Sequence, residues 1–295
     1  MDADLNFGLF GVEIEEAYGT TLDLPFGFQG RFGQFLTRFG RLNPTHPHAW
    51  DFVDQPFPIG RVFGGEGNRG LGIELSWLAP LPWSVELVAS AMNSDGEGTM
   101  RSFYGARDLG ISGVQDFTYV TALKQFFPLT DDWSLAFGLS GAFGPNSTGR
   151  SNRTDVYGTD LYLKYRPITR QSSMALALQS EWFYRRRQVP DDLLQDLNGY
   201  SQLVWIFMKR WGAAIRHEYG SPSIGDDGNV STVDPLDPAW VESRHRLSAN
   251  VSFWPSEFSR FRLQAARDLP GYRDAVWSVF LSAELVTGAH GAHAF

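Results

Sequence analysis

Apolar and polar residues alternate with a period of two along most of this chain. In Trp133-Ser134-Leu135-Ala136-Phe137-Gly138-Leu139-Ser140-Gly141-Ala142-Phe143 one face carries Trp, Leu, Phe, Leu, Gly and Phe, and the other only Ser, Ala and Gly. Such a strand meets different surroundings on its two sides. Met174, Leu176, Leu178 and Trp182 alternate with Ala175, Ala177, Gln179 and Glu181, interrupted only by Ser180. Leu247, Ala249, Val251 and Phe253 alternate with Arg246, Ser248, Asn250 and Ser252. Near the C-terminus, Trp277 to Leu285 sets apolar residues against Ser, Glu and Phe280.

This period predicts thirteen strands, near 5–17, 26–39, 70–79, 83–92, 115–127, 133–144, 154–166, 172–186, 198–209, 211–219, 242–254, 259–269 and 273–287. Several are roughly 10 to 13 residues, longer than strands of soluble sheets and close to what a tilted strand needs to cross a bilayer. Charged residues at inward positions are costly in a dry sandwich core and normal against a wet lumen.

Connection lengths also alternate. Pro80 to Pro82, Pro128 to Asp132, Pro167 to Gln171 and Pro255 to Phe258 are short, whereas about 40–69, 93–114 and 220–241 are long. Short turns on one rim and long loops on the other characterise bacterial transmembrane barrels. Trp77, Trp83, Trp133, Trp182, Trp211, Trp254 and Trp277 fall near strand ends, where an indole sits at the headgroup level. The expectation is therefore an all-β protein: one transmembrane antiparallel up-and-down barrel of about 12–14 strands occupying residues 1–295. An odd strand count conflicts with the even number such barrels carry. It predicts that a preceding N-terminal strand is missing or unrecognised. Separately, Met1-Asp2-Ala3-Asp4 lacks the basic start and apolar stretch of a signal peptide, so either a signal was removed with Met1 added back or the chain is a fragment of a longer one.

The 295 residues include no Cys and no apolar run long enough for a membrane helix, and the net charge of −8 argues against nucleic acid as a partner. Counting by twos puts Arg216, Glu218, Arg246, Arg260 and Arg262 on the interior of three successive strands, and Glu74 and Glu86 on an adjacent pair elsewhere. These are the candidate pore-lining residues. They would either set a transverse field across a channel or pair with one another and fill the lumen. The segment from Phe39 to Pro56, followed by Gly64 to Gly70, has too many Pro and Gly for regular structure and too many aromatics for a floppy loop. A loop of such length is usually functional, and folding inward to narrow the pore is one role for it. Within it His46, His48, Asp51 and Asp54 are candidate ligands for zinc, although their spacing matches no standard zinc pattern. His290 and His293 fall on opposite faces if the last strand continues. His217 and His245 have no serine motif beside them, so no enzyme is expected.

The final alternating strand with terminal Phe295, Gly30-Arg31-Phe32-Gly33-Gln34-Phe35, and Phe39-Gly40-Arg41-Leu42-Asn43 together resemble the porin-like bacterial outer-membrane barrels, including the phosphate-selective porins. His46-Pro47-His48-Ala49-Trp50-Asp51-Phe52-Val53-Asp54 is similar to a set of outer-membrane proteins labelled zinc-regulated, TonB-linked receptors. The resemblance implies an outer-membrane location and partners that include outer-membrane lipid, the barrel assembly machinery and small solutes or ions, with an oligomer left open. It implies a channel for passive diffusion of small hydrophilic or ionic solutes, or alternatively a plug-less uptake protein for zinc or another small ligand.

Overall fold

A computed structural model describes residues 2–8, 11–22, 24–93, 96–105, 107, 110–149, 151–170 and 173–285. They form one antiparallel sheet of fourteen strands whose spatial order is the chain order. The strands are β1 (Asp2–Gly8), β2 (Gly11–Thr20), β3 (Phe28–Leu36), β4 (Arg69–Leu78), β5 (Ser84–Asn93), β6 (Phe117–Pro128) and β7 (Trp133–Pro145), followed by β8 (Arg153–Tyr165), β9 (Met174–Val189), β10 (Asp192–Phe207), β11 (Trp211–Gly220), β12 (Arg244–Ser256), β13 (Ser259–Pro270) and β14 (Val276–Leu285). Phe295, His290 and His293 lie outside the described residues.

Three expectations need correction. The single strand expected at 5–17 is a hairpin, with Gly8 opposite Gly11 and Phe7 opposite Val12. Apolar residues fall at odd positions in the first arm (Leu5, Phe7) and at even positions in the second (Val12, Ile14), a change of phase that marks the reversal. The strand count is therefore even, and the parity argument for missing strands loses its basis. Strand β10 starts at Asp192, not 198, because Asp191 takes a left-handed conformation (φ 63°) and closes a tight turn that lets Asp192–Leu197 pair with Tyr184–Val189. The long segment before β4 is not wholly irregular: Phe57–Phe63 is a short helix, α1, with Pro58 in its first turn.

The face assignments hold strand by strand. Outward residues such as Ile73, Leu139, Ile215, Leu247, Leu263 and Leu281 are exposed hydrophobics, whereas Ser140, Gln179, Glu181, Ser248, Asn250 and Ser252 are buried on the inner face. This inverts a soluble protein and is the pattern of a wall standing in lipid. Aromatic pairs mark two levels on its outside. Near the short turns lie Phe28–Trp77, Trp83–Phe127, Trp133–Tyr165, Trp205–Phe207 and Trp211–Phe253. Near the long loops lie Phe143–Tyr157, Tyr157–Tyr184 and Trp182–Tyr219. From Trp133 to Phe143 the strand rises ten residues; at about 3.4 Å each and about 40° tilt that is about 26 Å, matching the apolar band of an outer-membrane barrel. Trp254 departs from the expected interfacial set, since it faces an interior cavity.

The sheet curls into a barrel around residues 37–68, which touch inward side chains from β2 on one side to β13 on the other. Phe35, Phe39, Ile59, Val62, Phe63, Met92, Met100, Phe103, Val120, Ala142, Val156, Phe183 and Tyr200 form one buried cluster inside it. No helix among the described residues is long and apolar enough to cross a membrane, so strands alone do so.

Leu139 stands between the two aromatic levels, facing out. Leu139→Arg should therefore lower stability in lipid vesicles by about 2–4 kcal/mol, the cost of a cation near the bilayer midplane, as read by denaturant unfolding of the reconstituted protein. A cost near zero would mean that this face does not meet lipid.

Candidate functional site: a loop folded into the barrel

The loop between β3 and β4 enters the lumen at Gly40. Its φ of +60° suits glycine, and a Cβ there would stand 2.3 Å from Glu181 Oε2. That close approach lets Glu181 accept the main-chain N–H groups of Arg41 (3.0 Å) and Leu42 (2.9 Å). Ser140 accepts the Gly40 N–H, and Lys124 donates to the Gly40 carbonyl while pairing with Asp160. Tyr200 and Gln179 both donate to Glu181. Strands β6 to β10 thus hold the loop's entry.

Its middle crosses to the opposite wall. Arg260 donates to the carbonyls of His48 (2.6 Å) and Trp50 (3.0 Å), and Arg262 to those of Trp50 (2.7 Å) and Phe52 (2.8 Å). Asn250 donates to the Asp51 carbonyl (3.0 Å), Gln264 accepts the Val53 N–H (2.8 Å), and Glu218 accepts the Phe57 N–H (2.7 Å). Asp54 is the node: its carboxylate receives Arg216 (2.8 Å), Arg246 (2.6 Å) and Gln264 (2.6 Å), and its carbonyl receives Arg216 again. Burial pushes the Asp54 carboxyl up, but Arg216 and Arg246 outweigh it and hold the group below its ordinary range. Asp51 shifts the other way, since its burial outweighs the field of Arg260 and Arg262.

The expected interior residues are all inward, but they do not stand across open water from the loop: Arg216, Glu218, Arg246, Arg260 and Arg262 bond it directly. Nor do Glu74 and Glu86 make a bare acidic wall. Glu74 pairs with Arg38 (3.0 Å) and lies 3.9 Å from Arg31, and Glu86 pairs with Arg38 (2.5 Å).

The four candidate zinc ligands are separated. Asp51 and Asp54 are engaged by the wall, and His46 lies against β2, with Nε2 2.9 Å from Glu16 and Nδ1 3.6 Å from Glu15. His48 stacks parallel on His46. Hydrogen bonds to Glu15 and Glu16 raise His46 to about 10, so the ring is a protonated donor to both carboxylates and not a neutral ligand. Among the described residues no cluster of three or more His, Asp or Glu could hold a metal ion. His217 and His245 lie on the outer face, 3.1 Å apart.

A second fastening lies near the long-loop rim. Arg61 of α1 bonds Asp237 (3.1 Å) and Asn198 (2.9 Å) and lies over the Trp240 ring. Arg101 joins Asp237 to the carbonyl of Arg61, and Arg185, fully buried, forks onto Asp196. Arg187 pairs with Asp234, which is lowered to about 2 by Arg187 and Ser223 against the pull of burial. Three connections, 37–68, 94–116 and 221–243, are thereby tied together. Sequence reasoning missed this group and Glu181's role, though the count by twos that reached Glu181 lands on Arg185 and Arg187 if carried two and three steps further.

Two cavities flank the loop. One of about 740 Å³ opens toward the short turns and includes Arg41, Lys164, Arg166, Trp254, Arg260 and Glu284 in its lining. The other, about 750 Å³, lies toward the long loops beside Gly64, Arg101, Arg107, Val189 and Leu236. The aromatic cluster and the segment 52–63 lie between the strand levels that the two cavities occupy.

No protein-family model matches the sequence. The chain is 32% identical over 319 aligned residues to an uncharacterized protein of Aquifex aeolicus, covering 99% of this chain and 66% of that protein, so it spans just under two thirds of the relative's length. In fold it is similar to the outer membrane channel DcaP of Acinetobacter baumannii, with TM-score 0.57 and 13% identity over 93% of this chain and 75% of that one. It is also similar to OmpT, an outer membrane protein of Vibrio cholerae, with TM-score 0.54 and 9% identity over 96% and 79% of the two chains. The fold is that of the porin-like outer-membrane β-barrels.

Two predictions follow from the anchors. Gly40→Ala places a side chain at positive φ against Glu181 and should weaken the loop's entry by about 1–3 kcal/mol, seen as faster proteolysis of residues 41–56 in the folded barrel. Because the folded-state value of His46 lies above its ordinary 6.5, its contribution is complete below pH 6.5 and is lost as pH rises toward about 10. Protection of the main-chain N–H groups of residues 44–50 against hydrogen exchange, taken relative to their intrinsic rates, should fall across that window in the parent, and this fall should vanish in His46→Ala.

Proposed function

We propose that the chain forms an outer-membrane channel for small hydrophilic or ionic solutes, with residues 37–68 as its constriction. The long-loop rim faces outside and the short turns face the periplasm, following the general arrangement of such barrels. The observation that carries this reading is that the barrel's inward charges are spent on holding a loop inside the lumen, with a cavity on either side of it. A wall that had only to be filled could be filled with apolar side chains at lower desolvation cost.

Arg41, Lys164 and Arg166 around the periplasmic cavity, together with the resemblance to phosphate-selective porins, support small anions as the solute class. No specific observation favours the zinc reading over the channel.

Single channels in planar bilayers test the proposal. The parent should conduct in small steps, and Asp54→Ala, which removes the shared partner of Arg216, Arg246 and Gln264, should raise the step size severalfold. Silence of both proteins, with folding shown by heat-modifiable migration, would overturn it.

A further inference from the structure

The wall of β11 to β13 does not hold the loop chiefly by its side chains. Arg260 and Arg262 take the carbonyls of His48, Trp50 and Phe52, Asn250 takes that of Asp51, and Arg216 that of Asp54. Gln264 and Glu218 accept the N–H groups of Val53 and Phe57. Donors and acceptors are thus spaced along the wall to match main-chain atoms, which every peptide carries. Two side chains add selectivity. The Phe52 ring lies under the Arg216 guanidinium (4.3 Å), and Asp54 two residues on is gripped by Arg216, Arg246 and Gln264.

We infer that this wall is a peptide-binding surface for short peptides with an aromatic residue followed two positions later by an acidic one, and that residues 48–57 are its resident, self-blocking occupant. The inference rests on the channel reading, and names a substrate class for it. Arg216, Glu218, Arg262 and Gln264 are almost wholly buried. Once the resident segment withdraws, Arg216 and Arg262 keep only Glu218 and Glu284, while Gln264 and Glu218 lose the main-chain N–H groups they accept, and a peptide of the same spacing supplies the missing partners. Side-chain recognition alone would bind any small acid; main-chain recognition requires successive peptide groups.

The probe is a fluorescent synthetic peptide with the sequence of residues 48–57, titrated in detergent and read by anisotropy. The receptors are the parent, full-length Asp54→Ala, and a variant in which residues 48–56 are replaced by a Gly-Ser linker of equal length and whose folding is checked by heat-modifiable migration. Expected is at least tenfold tighter binding to full-length Asp54→Ala than to the parent. Affinity should fall at least tenfold when the peptide is N-methylated at the positions of Val53 and Phe57, or when its second aspartate is replaced by asparagine. If the linker variant does not fold, Asp54→Ala alone decides. Absence of binding to the folded variants, or equal binding of the N-methylated peptide, overturns the inference. Binding needs no conductance, so a protein that conducts yet ignores the peptide sinks this inference and leaves the channel reading standing, whereas one that binds and never conducts does the reverse.

Discussion

A loop that leaves water and enters a barrel must find a partner for nearly every main-chain N–H and C=O it brings along. Inside the sheet no regular ladder is available to it. The rest of this structure depends on meeting that demand: unpaired buried polar groups each cost about 1–3 kcal/mol, and the loop exposes them at almost every residue from Gly40 to Phe57. The wall meets the demand with long or branched polar side chains that reach inward, Glu181 at the entry and Arg260, Arg262, Asn250 and Gln264 across the lumen. The inward charge of this barrel is therefore first a solvent for a loop.

That priority explains how the charges are grouped. A buried guanidinium is tolerated only when paired and hydrogen-bonded. Arg185 meets Asp196 and Asp237, Arg216 meets Asp54 and Glu218, and Arg262 meets Glu284. The apolar part of the plug follows the same economy. Phe39, Phe63 and Phe183 pack ring against ring where no polar partner is offered, so the interior divides into a dry cluster and a wet belt around it.

The wall was legible in the sequence because its information is local. Period-two alternation assigns a face to each residue, and Leu139, Glu181, Arg216, Leu247 and Arg262 all stand on the side the alternation gives them. What was not legible depends on contacts far apart in the chain. Nothing near Asp54 marks Arg246 as its partner, and nothing near Glu181 marks the N–H groups of Arg41 and Leu42. Similarly, the four residues grouped as metal ligands were neighbours only along the chain; the fold sends His46 to β2 and Asp54 to β11 and β12. Turns were the other weak point, since the β1–β2 hairpin shows in the sequence only as a change of phase, from Leu5 and Phe7 to Val12 and Ile14.

Glu284 on β14 is hydrogen-bonded to both Arg260 and Arg262, the two arginines that hold the loop's central carbonyls. Strand β14 lies just beyond the β11 to β13 wall that receives Asp54, and its carboxylate is the counter-charge for that grip. Until β14 pairs with β13, two adjacent guanidinium groups share no acid, and their mutual repulsion opposes drawing the loop between them. Assembly thus acquires an order: the staves must be brought together before the plug can be locked, and a half-built wall stays unlocked by its own electrostatics.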